Sequence, residues 1–82
     1  MKSRYQLFPK ACVSASNIQP PYHGKSADEC ASLCLLHDDC KAFEYKDIGY
    51  CVLQSSSDMT GCDGIRNNYD LYVKKGMFNR IN

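Results

Sequence analysis

Eighty-two residues with ten Lys/Arg, nine Asp/Glu and a formal net charge of +1 make one small domain. It carries no field strong enough to favour nucleic acid or an anionic membrane. A chain this short buries only a modest share of its surface, and six cysteines, an even number, suit three disulfides of the kind small extracellular domains use. A structural zinc is the competing use of clustered cysteines. It fits poorly, because no Cys-x-x-Cys pair is present and His23 and His37 are not at finger spacing. No apolar run is long enough to span a bilayer, and MKSRYQLFPK lacks the apolar core of a signal peptide. A secreted domain would take its signal from outside these residues. No Asn-x-Ser/Thr sequon occurs.

In chain order, Tyr5 to Val13 (YQLFPKACV) mixes aromatic and β-branched residues with Pro9, which predicts an edge strand or extended arm tied down by Cys12. Ser14 to Lys25 (SASNIQPPYHGK) carries Pro20, Pro21 and Gly24 as breakers and is expected to be an exposed connection, with Tyr22 packing where it meets the next element. That element is a helix. Ser26 and Glu29 form the Ser-x-x-Glu capping box, so the helix starts at Ala27. Ala27, Cys30, Ala31, Cys34 and Leu35 then fall on one side of it. Cys30 and Cys34, about a turn apart and aimed the same way, are badly placed to bond each other.

Asp38-Asp39 make a polar turn, and Lys41 to Lys46 (KAFEYK) alternates, with Phe43 and Tyr45 on one face and Ala42 and Glu44 on the other. Asp47-Ile48-Gly49 is a short hairpin loop returning into Tyr50 to Gln54 (YCVLQ), where Cys51 and Leu53 share a face. Ser55 to Asn68 is dense in Ser, Asp, Gly and Asn and reads as an irregular loop pinned at Cys62. Tyr69 to Lys74 (YDLYVK) closes the domain as a strand with Tyr69, Leu71 and Val73 inward and Asp70, Tyr72 and Lys74 outward; Gly76 ends it before a loosely held tail. One helix over three to five antiparallel strands is a two-layer α+β fold. A Cys34–Cys40 bridge would close a short loop at the helix-to-sheet corner and leave Cys30 free to reach Cys51, with Cys12 and Cys62 joining the ends. Six cysteines formally allow many other pairings.

A helix with Cys-x-x-x-Cys (SADECASLC), then CKAFEYKDIGYCVLQ and a closing YDLYVK, resembles the PAN/apple domain family over about Cys12 to Lys75. The resemblance implies a helix packed on an antiparallel sheet of about five strands. It implies Cys30–Cys51 and Cys34–Cys40 as core bridges, with Cys12–Cys62 as the additional bridge of apple domains. The expected organisation is a single domain over 1–82, with a core over 12–75 and flexible tails over 1–4 and 77–82. The family's members are recognition modules of extracellular, multidomain proteins, clotting zymogens and microneme adhesins among them, that bind proteins or carbohydrates. No family ligand residue transfers to this chain.

With every cysteine in a bridge, no thiolate is left for nucleophilic chemistry. His37 in the last helical turn suits the helix dipole, His23 lies in a solvated loop, and Asp38-Asp39 lack a calcium-loop spacing. No enzyme, cofactor or metal is expected. A ligand site needs aromatic surface beside polar groups. Tyr45 and Tyr69 are expected in the core, and Tyr50 and Tyr72 away from the helix, beside Lys46, Asp47, Asp70 and Lys74. Those six residues form the candidate site for a protein or glycan; the plainer reading is an ordinary solvated sheet face. Two further readings are a spacer in a tandem array and a heparin-like polyanion binder using Arg66, Lys74, Lys75 and Arg80.

Overall fold

The structure, a computed structural model, describes residues 4–13, 17–57 and 69–75. Five strands, β1 (Tyr5–Phe8), β2 (Asn17–Tyr22), β3 (Ala42–Lys46), β4 (Tyr50–Gln54) and β5 (Asp70–Lys74), and one helix, α1 (Ala27–Leu36), follow in the order β1-β2-α1-β3-β4-β5. The strands form one antiparallel sheet ordered β1-β5-β3-β4-β2. This is the α+β architecture that the patterning predicts.

The helix starts at Ala27 because its cap is complete. The Ser26 hydroxyl accepts from the Glu29 N–H at 3.1 Å, and the Glu29 carboxylate accepts from the Ser26 N–H at 2.8 Å. Its buried face is Cys30, Ala31 and Cys34, which lies on β3 and β4. Two disulfides fix it there: Cys30–Cys51 joins the helix to β4, and Cys34–Cys40 closes the corner, with Cα separations of 6.3 and 5.3 Å. The Cys12–Cys62 expectation lies outside the described residues, because Cys62 does. His37 is the C-cap; its N–H donates to the Cys34 carbonyl, and its Nδ1 accepts from the Asp39 N–H at 3.3 Å. It therefore sits at the helix C-terminus, one residue past Leu36, and its ring braces the following turn.

A row of paired residues crosses the sheet on the helix side: Leu7, Tyr72, Phe43, Leu53 and Ile18. Phe43, fully buried, is at its centre. Tyr5 meets Phe43 edge-on with ring centres 5.1 Å apart, and Tyr72 stacks on Phe43 at 4.8 Å. The far side of the sheet buries Ala42, Leu71 and Val73 under Val13, with Phe8 and Ala11 against them. Each large apolar side chain buried in either layer is worth about 1.5–3 kcal/mol.

Burial of both sheet faces overturns two expectations. Leu71 and Val73 are inward, but toward the face opposite the helix, and Tyr72 is on the helix side, half-buried against Phe43. Alternation fixes that Leu71 and Tyr72 point opposite ways; the register against β3 fixes which way, because Tyr72 is paired with Phe43 and Leu71 with Glu44. The stretch 14–25 is not wholly a connection either, for it contributes β2. Proline can supply no ladder N–H, and Pro20 and Pro21 lie on an edge strand where the register against β4 shifts between Ile18 and Tyr22. At the opposite edge, β1 brings Tyr5 into the core, 4 % exposed, with its hydroxyl donating to the Ala31 carbonyl at 2.8 Å.

Candidate functional site

The six sequence-predicted residues do not share one face. Their positions follow from the ladder: cross-strand partners lie on the same side, so Asp70 goes with Tyr45, Tyr72 with Phe43 and Lys74 with Tyr5 on the helix side, whereas Lys46 goes with Tyr50 on the far side. Tyr72 leaves the candidate surface as part of the core stack. Burial, then the nearby Asp70 and other acidic and phenolic groups, push its hydroxyl pKa up. Lys74 sits beside Tyr5, where burial lowers its pKa against the opposing pull of Asp38.

The other four gather at the end of the β3–β4 hairpin. At the hairpin end, spanning the edge between the two faces, Lys10, Tyr45, Lys46, Asp47, Ile48 and Asp70 line a groove of about 330 Å³. Lys10 is held there by its N–H donating to Asp70 Oδ1 at 3.2 Å, with the Lys10 backbone in the left-handed region at φ 56°. Ile48 is 76 % exposed at the groove's rim. Around the corner, on the far side, the Tyr50 ring has His23 at 4.8 Å and Tyr69 at 5.8 Å, and Lys46 Nζ lies 5.5 Å from the Tyr69 ring centre. Tyr69, expected in the core, is half-buried in this cluster just ahead of β5. Burial, Tyr50 and Glu44, in that order, raise its pKa.

The hairpin turn is clamped to the loop ahead of the helix. The Lys25 N–H donates to the Gly49 carbonyl at 3.1 Å, and the Tyr45 hydroxyl donates to the Lys25 carbonyl at 2.8 Å. Gly49, at φ 91°, lies so close to Gly24 that an added Cβ would be 3.2 Å from its Cα. The backbones can meet this tightly because Gly49 has no side chain, whereas a Cβ on Gly24 would meet nothing within 4 Å and that glycine serves its left-handed φ of 72°. His23, Tyr50 and the groove are therefore carried on a braced corner, which lowers the ordering cost of binding.

Lys10, His23, Tyr45, Ile48 and Tyr69 are the residues of this corner that the sequence reading left out of its site. Lys10 is sixty residues from its partner Asp70, and no local pattern encodes that. Arg66 and Arg80 of the polyanion reading lie outside the described residues. Among the described residues there is no group of His, Cys, Asp and Glu able to hold a metal and no free thiol, and no helix is long and apolar enough to cross a membrane. A family model described as the PAN domain matches residues 4–76. No curated protein and no solved structure matches the chain.

Proposed function

The chain belongs to the PAN domain family, whose members are in general non-catalytic protein- or carbohydrate-binding modules, and on that premise we propose that it is an extracellular adhesion module whose ligand docks at the hairpin corner. The observation that carries this reading is the meeting, on one braced turn, of the Tyr50–His23 ring pair with the groove of Lys46, Asp47 and Asp70. The rings offer flat apolar area. The carboxylates accept from hydroxyls or amides, and the lysines donate. A sugar ring or a polar protein loop meets both needs. Disulfides suit an oxidising compartment, and the domain serves as one recognition unit of a larger multidomain protein.

The test is a glycan array probed with the oxidised domain beside the reduced and alkylated form, with titration of any hit. Binding should require the oxidised form and fall at least ~10-fold in Tyr50→Ala, as expected of a central aromatic contact. Leu36→Ala, at the far end of the helix and 82 % exposed, should leave affinity unchanged. A blank array turns the assignment to an extracellular protein, measured with the same variants. A ligand held equally by Tyr50→Ala and Asp47→Lys would sink the hairpin corner as the site.

A further inference from the structure

The two edges of the sheet are built differently. The β2 edge is blunted by Pro20, Pro21 and the shift in its register, devices that keep a strand from pairing further. Strand β1 pairs with β5 in unbroken register from Tyr5 to Phe8, and no proline interrupts it. Main-chain groups of an antiparallel strand turn alternately to its two sides. The Lys75 N–H donates to the Arg4 carbonyl at 2.9 Å, which aims Arg4, Gln6 and Phe8 at β5 and leaves the N–H and C=O of Tyr5 and Leu7 facing outward. These two residues present donor and acceptor pairs about 6.8 Å apart, the repeat of an extended strand. Among the described residues no strand lies beyond them.

The surroundings of this edge have a sign. Arg4, Lys10 and Lys75 are exposed around its two ends, and half-buried Lys74 is paired with Tyr5. Of the nearby carboxylates, Asp70 already accepts from the Lys10 N–H and Asp38 acts on Lys74, leaving Arg4, Lys10 and Lys75 as the exposed cations. Leu7, 42 % exposed, puts an apolar side chain between the two basic ends.

We propose that β1 is a second binding site, sharing only Lys10 with the hairpin-corner groove, where an extended peptide with an apolar centre and acidic flanks adds as a sixth strand. The outward N–H and C=O groups of Tyr5 and Leu7 supply the pairing. Leu7 receives the central apolar side chain, and Arg4, Lys10 and Lys75 receive the flanking carboxylates. A second copy of this chain fits less well, since an antiparallel β1 would bring the same basic ends against each other.

The experiment is an amide NMR titration of the oxidised 82-residue chain with the peptide Glu-Glu-Val-Thr-Val-Glu-Glu. The Tyr5 and Leu7 amide signals should move first, and Lys-Lys-Val-Thr-Val-Lys-Lys should bind at least ~10-fold more weakly. Leu7→Pro removes the outward N–H together with the leucine side chain and should weaken binding by at least ~10-fold, with unchanged Leu71, Val73 and Lys75 amide signals reporting an intact β1–β5 ladder. An acidic peptide N-methylated at its central residue should likewise bind at least ~10-fold more weakly, a control that leaves the protein untouched. Shifts confined to Arg4 and Lys75, equal affinity for the two peptides, or movement of Leu7 with protein concentration alone would each overturn the proposal, the last by assigning the edge to self-pairing.

Discussion

Tyr5→Phe removes one oxygen from the core and tests how the first strand is tied to the helix. The hydroxyl donates to the Ala31 carbonyl at 2.8 Å from a side chain 4 % exposed, and burial pushes its pKa up to about 12 from an ordinary 10.0, against the small lowering effect of Arg4. Losing a buried neutral hydrogen bond costs about 1 kcal/mol. The ring still meets Phe43, so little packing is lost. Ionisation adds a pH signature. A phenol whose folded pKa is above its unfolded value contributes stability that is fully present below pH 10 and is lost as pH rises through about 12. Between pH 9 and 11 that loss is roughly 1 kcal/mol, since one pKa unit is about 1.4 kcal/mol. Urea denaturation of the oxidised wild type and variant at several pH values isolates the Tyr5 contribution as their difference, because the other tyrosines cancel. Wild type should lead by about 1 kcal/mol at pH 7, and the lead should disappear by about pH 11. Equal stability at pH 7 together with parallel alkaline curves would refute the tie between β1 and the helix.

Gly49→Ala forces a Cβ into a position at φ 91° and 3.2 Å from Gly24 Cα; a loss of about 1–3 kcal/mol, read from the urea midpoint, is expected, and an unchanged midpoint would contradict the tight Gly24–Gly49 contact. Burial raises the pKa of Glu44, opposed by its bond from the Val13 N–H. A raised carboxyl contributes stability that is present below its unfolded pKa and lost as pH rises through the folded value. Glu44→Gln, which can still accept from Val13, should therefore be more stable than wild type at pH 7 and lose that margin on acidification; a less stable variant at pH 7 counts against the reading. Replacing Cys34 and Cys40 together by alanine opens a loop of sequence separation 6 and should lower stability by about 2 kcal/mol on the chain-entropy model, about 1 kcal/mol less than a variant that loses the helix-to-strand bridge Cys30–Cys51 with its separation of 21; calorimetry of both double variants orders them.

Local chemistry made much of the fold readable. The capping box of Ser26 and Glu29 needs only four consecutive residues, and it starts the helix at Ala27. The β3–β4 hairpin is written in the alternation of Ala42–Lys46, a loop with glycine and a second strand, and the structure pairs it in full register. The two core disulfides that the family resemblance implied are present, Cys30–Cys51 and Cys34–Cys40. For the ligand surface, Lys46, Asp47, Asp70 and Tyr50 do converge on one corner, and Tyr72 and Lys74 do not.

What the sequence by itself determined is therefore whatever neighbours along the chain decide: where the helix begins, which residues of a strand point together, where the hairpin turns. Tertiary structure alone decided which side of the sheet each set faces. Leu71 and Tyr72 are both good strand residues in opposite phase, and because Val13 covers one face and the helix the other, hydrophobicity could not choose between them; the pairing of β5 with β3 did. It also decided that Pro20 and Pro21 belong to a strand, which only an edge position permits, and that Lys10 meets Asp70 across sixty residues. A side chain's periodicity is a property of its own backbone, whereas its face and its distant partner depend on which strand lies beside it.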